Sequence, residues 1–518
     1  MAGNSIISQP EVTINIIPAL QQVGNTAQRV LIVGQMLTGT AVSGELQEQV
    51  LNSNNEDALF GSQSMIAGMI RAFKKINKVT RIDAIGIDDN AGGAAAAGTL
   101  TITGTATEAG TLEVTIGSNI NHKLLVGISS GDTPTVIGDS IEAAITADTK
   151  IPVTASNTTG VVTITAANKG IEGNDITLRV VGTIAGVTSA LVGMASGATN
   201  PTVTGIFDVI GEARYQTVVW PFSYTLTELK GLLDPRFNAT NDVLDGVGIV
   251  TTTDTFANLL AVGTPENSQS ISILGFNAIN DALFKGSSMV ELGNVVSSEL
   301  AAIRSLRLTE DANISRFVIA TGGARDSFGG SALASFPYFN TPFPSLPLIP
   351  TGKGFDATEI ESLLAIGLST IGNNRAGNTT ILGETVTTYK NDSAGNPDIS
   401  FKFLNFVDTS SNVREFMFNN VKSRFAQSRL TEGDVIEGRS MANESVVRAF
   451  LNGLYDTLSG PDFVLVQAGE DAKEFFNTNL VISIDLDVGK VTANMQVPLV
   501  TQFREFIGTI QIAFSTEG

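Results

Sequence analysis

The chain has 518 residues, 51 acidic against 31 basic, a net charge of −20, a single histidine and no cysteine. These numbers exclude a disulfide framework or a thiolate metal site. They leave a multi-histidine centre without ligands and argue against a generic polyanion surface, because phosphate neutralisation needs lysine and arginine. Charged residues are 16% of the chain, below the ~25% usual for soluble proteins, so either assembly covers part of the surface or the composition is simply rich in Ala, Gly and Thr.

This length allows three or four domains at roughly 100–200 residues each. The start, "MAGNSIISQPEV", lacks a basic run followed by an apolar core, so no secretory leader is expected. No apolar run approaches the ~18 residues of a membrane span. The first strand-like segment is "PEVTINIIP", with Val12, Ile14 and Ile16 on one side and Pro10 and Pro18 at its ends. "RVLIVGQ" (29–35) predicts a buried strand, "SMIAGMIRAFKKINK" a helix with Met65, Ile66, Met69, Ile70, Phe73 and Ile76 on one face, and "VTRIDAIGI" (79–87) a second strand. The three form a β-α-β unit with parallel pairing. Arg71, Lys74, Lys75 and Lys78 line the other side of that helix, as a solvated face or a surface for an acidic partner.

From Phe73 to Phe207 the chain has no aromatic residue, although it carries 27 Phe, 5 Tyr and 1 Trp in all. Within this stretch "TLTITG", "TLEVTIG", "HKLLVGI", "VVTITA" and "ITLRVV" read as short strands, interrupted by a helix at "TVIGDSIEAAITADT". Regular Gly/Asn/Thr turns predict an inserted β-sandwich over 91–202. The α/β rhythm then resumes with strands at 216–220, 247–252 and 270–275. Helices are expected at "TLTELKGLLD", capped by Thr225 or Thr227, at "DTFANLLAVG" and at "MVELGNVVSSELAAIRSLR". The strands can share one mostly parallel sheet, from which the insertion emerges between the second and third.

Prolines 337, 342, 344, 347 and 350 mark an extended connector over 335–355. Beyond it, "DATEIESLLAIGLSTI" aligns Ile360, Leu363, Leu364, Leu368 and Ile371 on one helical face, and "NESVVRAFLNGLYDTLSGP" predicts another helix. "LVISIDLDVGKVTANMQVPLV" predicts a hairpin turning near Val488-Gly489, with Ile482, Ile484 and Leu486 facing Val491, Met495 and Val497. The final stretch, "IGTIQIAFSTEG", alternates Ile510, Ile512 and Phe514 with polar or small residues. Pattern alone leaves open whether the two terminal strands close a sheet of their own subunit or of a neighbour.

Motifs for chemistry are scarce. "GKGF" lacks the hydroxyl and spacing of a phosphate loop, "GGARDSFGGS" follows no clear strand, and "DLDVG" lacks the later ligands of a calcium loop. His122 has no serine-nucleophile motif near it and reads as an ordinary surface or turn residue. No catalytic residue, cofactor site or metal site is assigned.

The C-terminal third carries a resemblance. "FDATEIESLLAIGLSTI...ILGETVTTY", through Thr358, Glu361, Leu363, Leu364, Gly367, Ser369, Thr370, Thr387, Thr388 and Tyr389, resembles contractile bacteriophage tail sheath proteins of the Mu-like type. "VREFMFNNVKSRFAQSRL" and the closing hairpin with Gln502, Arg504, Phe506 and Gln511 are similar to the same family. The resemblance implies a non-enzymatic subunit that forms stacked hexameric rings around a tail tube and contracts to drive the tube through the host envelope. It implies a subtilisin-like but non-catalytic central domain (28–90 and 203–334), an inserted outer domain (91–202), an α+β C-terminal assembly domain (356–505) and strand-forming arms at 1–27 and 506–518. The arms, through Val12, Ile14, Ile16, Ile510, Ile512 and Phe514, are expected to pair with neighbouring subunits. The acceptor is expected to be the hairpin residues Ile482, Ile484, Leu486, Val491 and Met495. Lys422, Arg424 and Arg429 are tube-facing candidates. Expected partners are further copies of the chain, the tail tube protein, and baseplate and tail terminator proteins, with no direct nucleic acid contact and no membrane insertion. The expected location is the virion tail, assembled in the host bacterial cytoplasm. The alternatives are another self-assembling shell protein, S-layer-like, and a subtilisin-like hydrolase, which would have to use His122.

Overall fold

The computed structural model describes residues 28–50, 55–117, 122–222, 225–237, 242–288, 291–311, 343, 346–373, 379–382, 384–436, 439–460 and 465–500. In chain order the first elements are β1 (Arg29–Gln35), β2 (Leu46–Gln47), α1 (Glu56–Phe60), α2 (Met65–Ile76) and β3 (Arg81–Ile87). Strands β1 and β3 pair in parallel along their full length. Both are almost wholly buried, as unbroken apolar runs in a parallel sheet must be. α2 begins where Ser64 accepts a hydrogen bond from the Ala67 amide at 3.2 Å, and it buries Ile66, Met69, Ile70 and Phe73. Its basic row is not a free face. Lys74 meets Glu56 at 2.8 Å and Arg71 pairs with Asp57, both carboxylates lying on α1.

The insertion follows as β4 (Ala95–Thr103), β5 (Gly110–Ile116), β6 (Lys123–Ile128), α3 (Pro134–Ala147), β7 (Val153–Thr158), β8 (Val161–Lys169), β9 (Leu178–Val181) and β10 (Thr188–Ala195). The expected strands and helix are present; β7 and β10 are additions. The central run continues with β11 (Thr217–Trp220), α4 (Thr227–Arg236), β12 (Val247–Asp254), α5 (Phe256–Gly263), β13 (Ile271–Asn280), β14 (Phe284–Ser287) and α6 (Gly293–Asp311). Neither Thr225 nor Thr227 caps α4. Leu226 holds that position without a side-chain bond, whereas Thr255 caps α5 through the Asn258 amide.

The sheet order is β2-β3-β1-β11-β12-β13, parallel from β3 to β13. β13 is long enough to serve several neighbours. Residues 271–277 pair in parallel with β12, and residues 278–280 pair antiparallel with β14. β14 then pairs with β9, so the path runs on through β5 to β6 inside the insertion. The insertion thus takes in a strand that lies beyond it in sequence. Its second sheet, β10-β4-β8-β7, faces this extension across a core of Leu100, Val114, Ile141, Ile164 and Leu178.

α7 (Ala357–Ala365) opens with a reciprocal capping box between Asp356 and Glu359. The expected continuation of this helix through Leu368 and Ile371 is corrected. Gly367 sits at φ +88° with Thr388 Cα only 2.7 Å from where a Cβ would stand, and β15 (Leu368–Asn373) then pairs in parallel with β13. β16 (Thr379–Leu382) returns antiparallel. A left-handed glycine ends a helix without steric cost. The described end of the connector is no free linker: Leu346 and Ile349 are buried in the central core, and Ile349 exchanges two bonds with the Asn373 side chain at 2.9 and 2.8 Å.

The last elements are α8 (Leu404–Phe425), β17 (Arg429–Leu430), β18 (Met441–Ala442), α9 (Glu444–Ser459), α10 (Glu470–Asn479), β19 (Val481–Asp485) and β20 (Lys490–Asn494). α9 matches expectation, with Asn443 as its cap. They enclose a separate core of Val413, Phe416, Leu451, Tyr455, Leu458 and Phe476. Among the described residues no helix is long and apolar enough to cross a membrane.

Candidate assembly surface

In an open parallel sheet, ligands bind beyond the carboxyl ends of the strands. Here the insertion occupies that place. The Asp89 carboxylate, two residues past β3, accepts from Gln35 Nε2 at 2.7 Å, Asn168 Nδ2 at 3.0 Å and the Lys169 amide at 2.8 Å. Asn168 Oδ1 also accepts from the Met65 amide at 2.9 Å. One stretch of β8 therefore binds β1, the turn after β3 and the start of α2.

His122 is no ordinary surface residue. It lines a cleft of about 310 Å³ between α2, the insertion and the start of α6, and its Nδ1 lies 2.8 Å from Asp148 Oδ2. Burial lowers its pKa; Asp148 works the other way, and Arg71 and Lys75 add to the lowering. Ser64 shares the cleft, but it is 2% exposed and holds the cap of α2. The arrangement is a buried joint between insertion and helix.

The hairpin differs from both places. Ile484 pairs with Val491 and Ile482 with Ala493, and Gly489 at φ +67° makes the turn. Ile482 is 8% exposed and reaches the C-terminal core, while Val481 on the other face is 59% exposed. Leu486 and Met495, expected as strand residues, fall just past the ends of β19 and β20 and are exposed. β19 and β20 form a two-stranded sheet by themselves, so among the described residues each keeps an unpaired outer edge. Beside it runs an apolar groove of about 550 Å³, walled by Val413, Met417, Phe418 and Val421 of α8 and by Met495, Val497 and Leu499. The arm residues Val12, Ile14, Ile16, Ile510, Ile512 and Phe514 lie outside the described residues.

Lys422 and Arg424 come together on the exposed last turn of α8, where cations suit the negative helix end. Lys422 stands over the Phe418 ring at 5.2 Å and Arg424 over Phe425 at 5.6 Å. Arg429 is also exposed, on β17. The sequence reading missed α10 and the groove, since a groove arises only where α8 and the chain after β20 converge.

No family model matches the chain. Among solved structures it is similar to a sheath tail protein of Listeria innocua, with 13% identity, a TM-score of 0.43 and 93% of each chain covered. It is also similar to the sheath of an extracellular contractile injection system in its contracted state, with 12% identity, a TM-score of 0.35, and 60% of this chain and 73% of that one covered. In sequence it is 27% identical over 495 residues to the Mu-like prophage FluMu tail sheath protein of Haemophilus influenzae, covering 93% of this chain and 92% of that protein. The chain is similar to this Mu-like tail sheath protein over nearly its whole length. That relationship, running nearly end to end, supports a structural sheath subunit.

The sheath-like motif residues of the C-terminal third converge on one seam. Ser369 Oγ accepts from the Val386 amide at 2.8 Å, and Thr388 Oγ1 both accepts from the Ser268 amide and donates to its carbonyl, each at 3.0 Å. Thr387 Oγ1 donates to Phe401 O at 2.6 Å and accepts from the Tyr389 amide at 3.2 Å, and the Tyr389 hydroxyl donates to Asp398 at 2.7 Å. Gly367 is the residue that lets Thr387 and Thr388 approach so closely. Here the motif is a clasp that stitches the segment before α8 onto the base of the parallel sheet.

Proposed function

We propose that this chain polymerises as stacked hexameric rings around a tail tube and contracts to drive the tube through a host envelope, as a non-enzymatic part of a virion tail assembled in a bacterial cytoplasm. The observation that carries the reading is the near-full-length relationship to a tail sheath protein. The division of labour proposed is a subtilisin-like, non-catalytic central domain (28–90 and 203–334), an outer β-sandwich (91–202), a connector (335–355), an assembly domain (356–505) and two arms (1–27 and 506–518). Partners are further copies of the chain, the tube, the baseplate and the terminator.

Neighbouring subunits are linked by strand exchange. The arms, through Val12, Ile14, Ile16, Ile510, Ile512 and Phe514, pair with the hairpin at Ile482, Ile484, Leu486, Val491 and Met495. The unpaired outer edges of β19 and β20 and the apolar groove beside them support this assignment. Each backbone bond adds ~0.5–1.5 kcal/mol net and each buried apolar side chain ~1.5–3 kcal/mol, so an arm makes a firm but bendable link. Lys422, Arg424 and Arg429 face the tube.

Negative-stain electron microscopy tests the reading. The purified chain should form tubes of uniform width, and a chain lacking 507–518 should stay soluble without building long tubes. Uniform tubes from the truncated chain would sink the exchange model; an intact chain that never polymerises would count against the sheath role.

A further inference from the structure

The central and C-terminal cores meet along α8 without merging. Leu404 and Val407 belong to the central core, Val413, Phe416 and Met417 to the C-terminal one. The turns between them carry charge. Asp408 accepts from Arg304 Nη2 at 2.6 Å, with the two side chains 7% and 4% exposed. Arg304 also donates to the Gln216 carbonyl and the Thr217 hydroxyl at the start of β11. Ser411 Oγ donates to Asp245 Oδ2 at 2.8 Å, and Arg414 binds the other oxygen of that carboxylate. Glu415 meets Arg214 at 2.7 Å, and Arg214 Nε donates to the Asp245 carbonyl at 3.1 Å. Positions 408, 411 and 414–415 follow the helical repeat, so these groups form one polar face lying on the ends of β11 and β12. A cavity of about 20 Å³ remains among them.

We propose that this charged face of α8 is a latch. It holds the C-terminal unit at one angle to the central sheet, and its release lets that unit swing about residues 408–412 with both cores intact. Apolar packing is non-directional, whereas ion pairs taken out of water need one geometry to compensate their lost hydration. The latched angle is therefore sharply defined. Once opened, the groups regain water instead of exposing apolar surface, which makes a second discrete state accessible. The latch follows from the geometry of one chain and holds whatever that chain assembles into.

The absence of cysteine permits a direct test in the full chain, with the doubly labelled protein diluted into excess unlabelled chain so that only distances within one copy are read. Spin labels at Ala257→Cys on α5 and Asp471→Cys on α10, both exposed, report the distance between the units by double electron–electron resonance. The latched chain should give one narrow maximum. Arg214→Ala combined with Ser411→Ala and Arg414→Ala should lose it for a broad or two-peaked distribution, with helicity by circular dichroism retained. Arg414→Gln alone should broaden the distribution less, and Val413→Ala, on the apolar face, should leave it narrow. An unchanged narrow maximum in the triple variant overturns the latch. So does loss of helicity in both the triple variant and Arg414→Gln, which would make the charged face part of the fold itself.

Discussion

The parallel sheet and the terminal hairpin are both made of alternating or continuous apolar residues, yet they use them oppositely. β1 and β3 bury nearly every side chain and pair on both edges. β19 and β20 bury little beyond Ile482, and Val481, Leu486 and Val488 stand 59%, 46% and 70% exposed. The first region is complete within one chain. The second leaves apolar side chains exposed beside an unpaired strand edge. On the reading proposed above, the first region serves stability and the second assembly, and substitutions should separate the two.

The largest effect is expected in the sheet layer. Phe73, fully buried on the inner face of α2, leaves a cavity when cut to alanine, and Phe73→Ala should lower the unfolding free energy by about 3–5 kcal/mol in urea titration. Asp83 comes next. It is 0% exposed on β3 and accepts from Arg29 Nη2 at 2.8 Å and from Arg81 Nε, the Gln49 amide and the Tyr215 hydroxyl at 2.9 Å each. Burial alone would raise its pKa, but bonds from Arg81, Gln49, Arg29 and Tyr215 together hold it below the ordinary value. A lowered carboxylate contributes stability above its unfolded pKa of about 3.9 and loses it as pH falls through the folded value. Asp83→Asn should therefore cost about 3 kcal/mol at pH 7 and flatten the stability profile below pH ~4; an unchanged acid limb would remove Asp83 from the account.

Gly367→Ala is the next step down. The new Cβ would stand 2.7 Å from Thr388 Cα at a positive φ, so a loss of about 1–3 kcal/mol is expected, with hydrogen exchange rising first in β15. Smallest in stability is the pair Val481→Ser and Leu486→Ser on the hairpin. Both should leave the unfolding free energy within the ~0.5 kcal/mol typical of surface changes while shortening the tubes seen by electron microscopy. A large stability loss there, with tubes intact, would reverse the contrast between the two regions.

Much of the central sheet was legible because its strands are uninterrupted apolar runs and α2 keeps a strict helical stripe. The five strands and the helix expected between 91 and 202 were legible from their turn spacing. Leu368 and Ile371 misled, since "LLAIGLSTI" satisfies a helical period on paper. Only the close approach of Thr388 shows that Gly367 breaks it. The hairpin and its turn glycine could be read, and so could Lys422 and Arg424 as neighbours. The groove could not, because its walls come from α8 and the chain after β20, nor could the pairing of Asp245 with Ser411 and Arg414, which lie 166 and 169 positions away.

By itself the sequence determined what depends on near neighbours: strand and helix periods, the glycine turn at 489, and the sheath-like motifs. Tertiary structure alone decided that β13 carries the central sheet on into the insertion, that Thr387 and Thr388 form a clasp, and that successive stretches of α8 enter the two cores. Local patterns come from the fixed geometry of the backbone, whereas these contacts come from which buried polar groups find partners once distant segments share one interior.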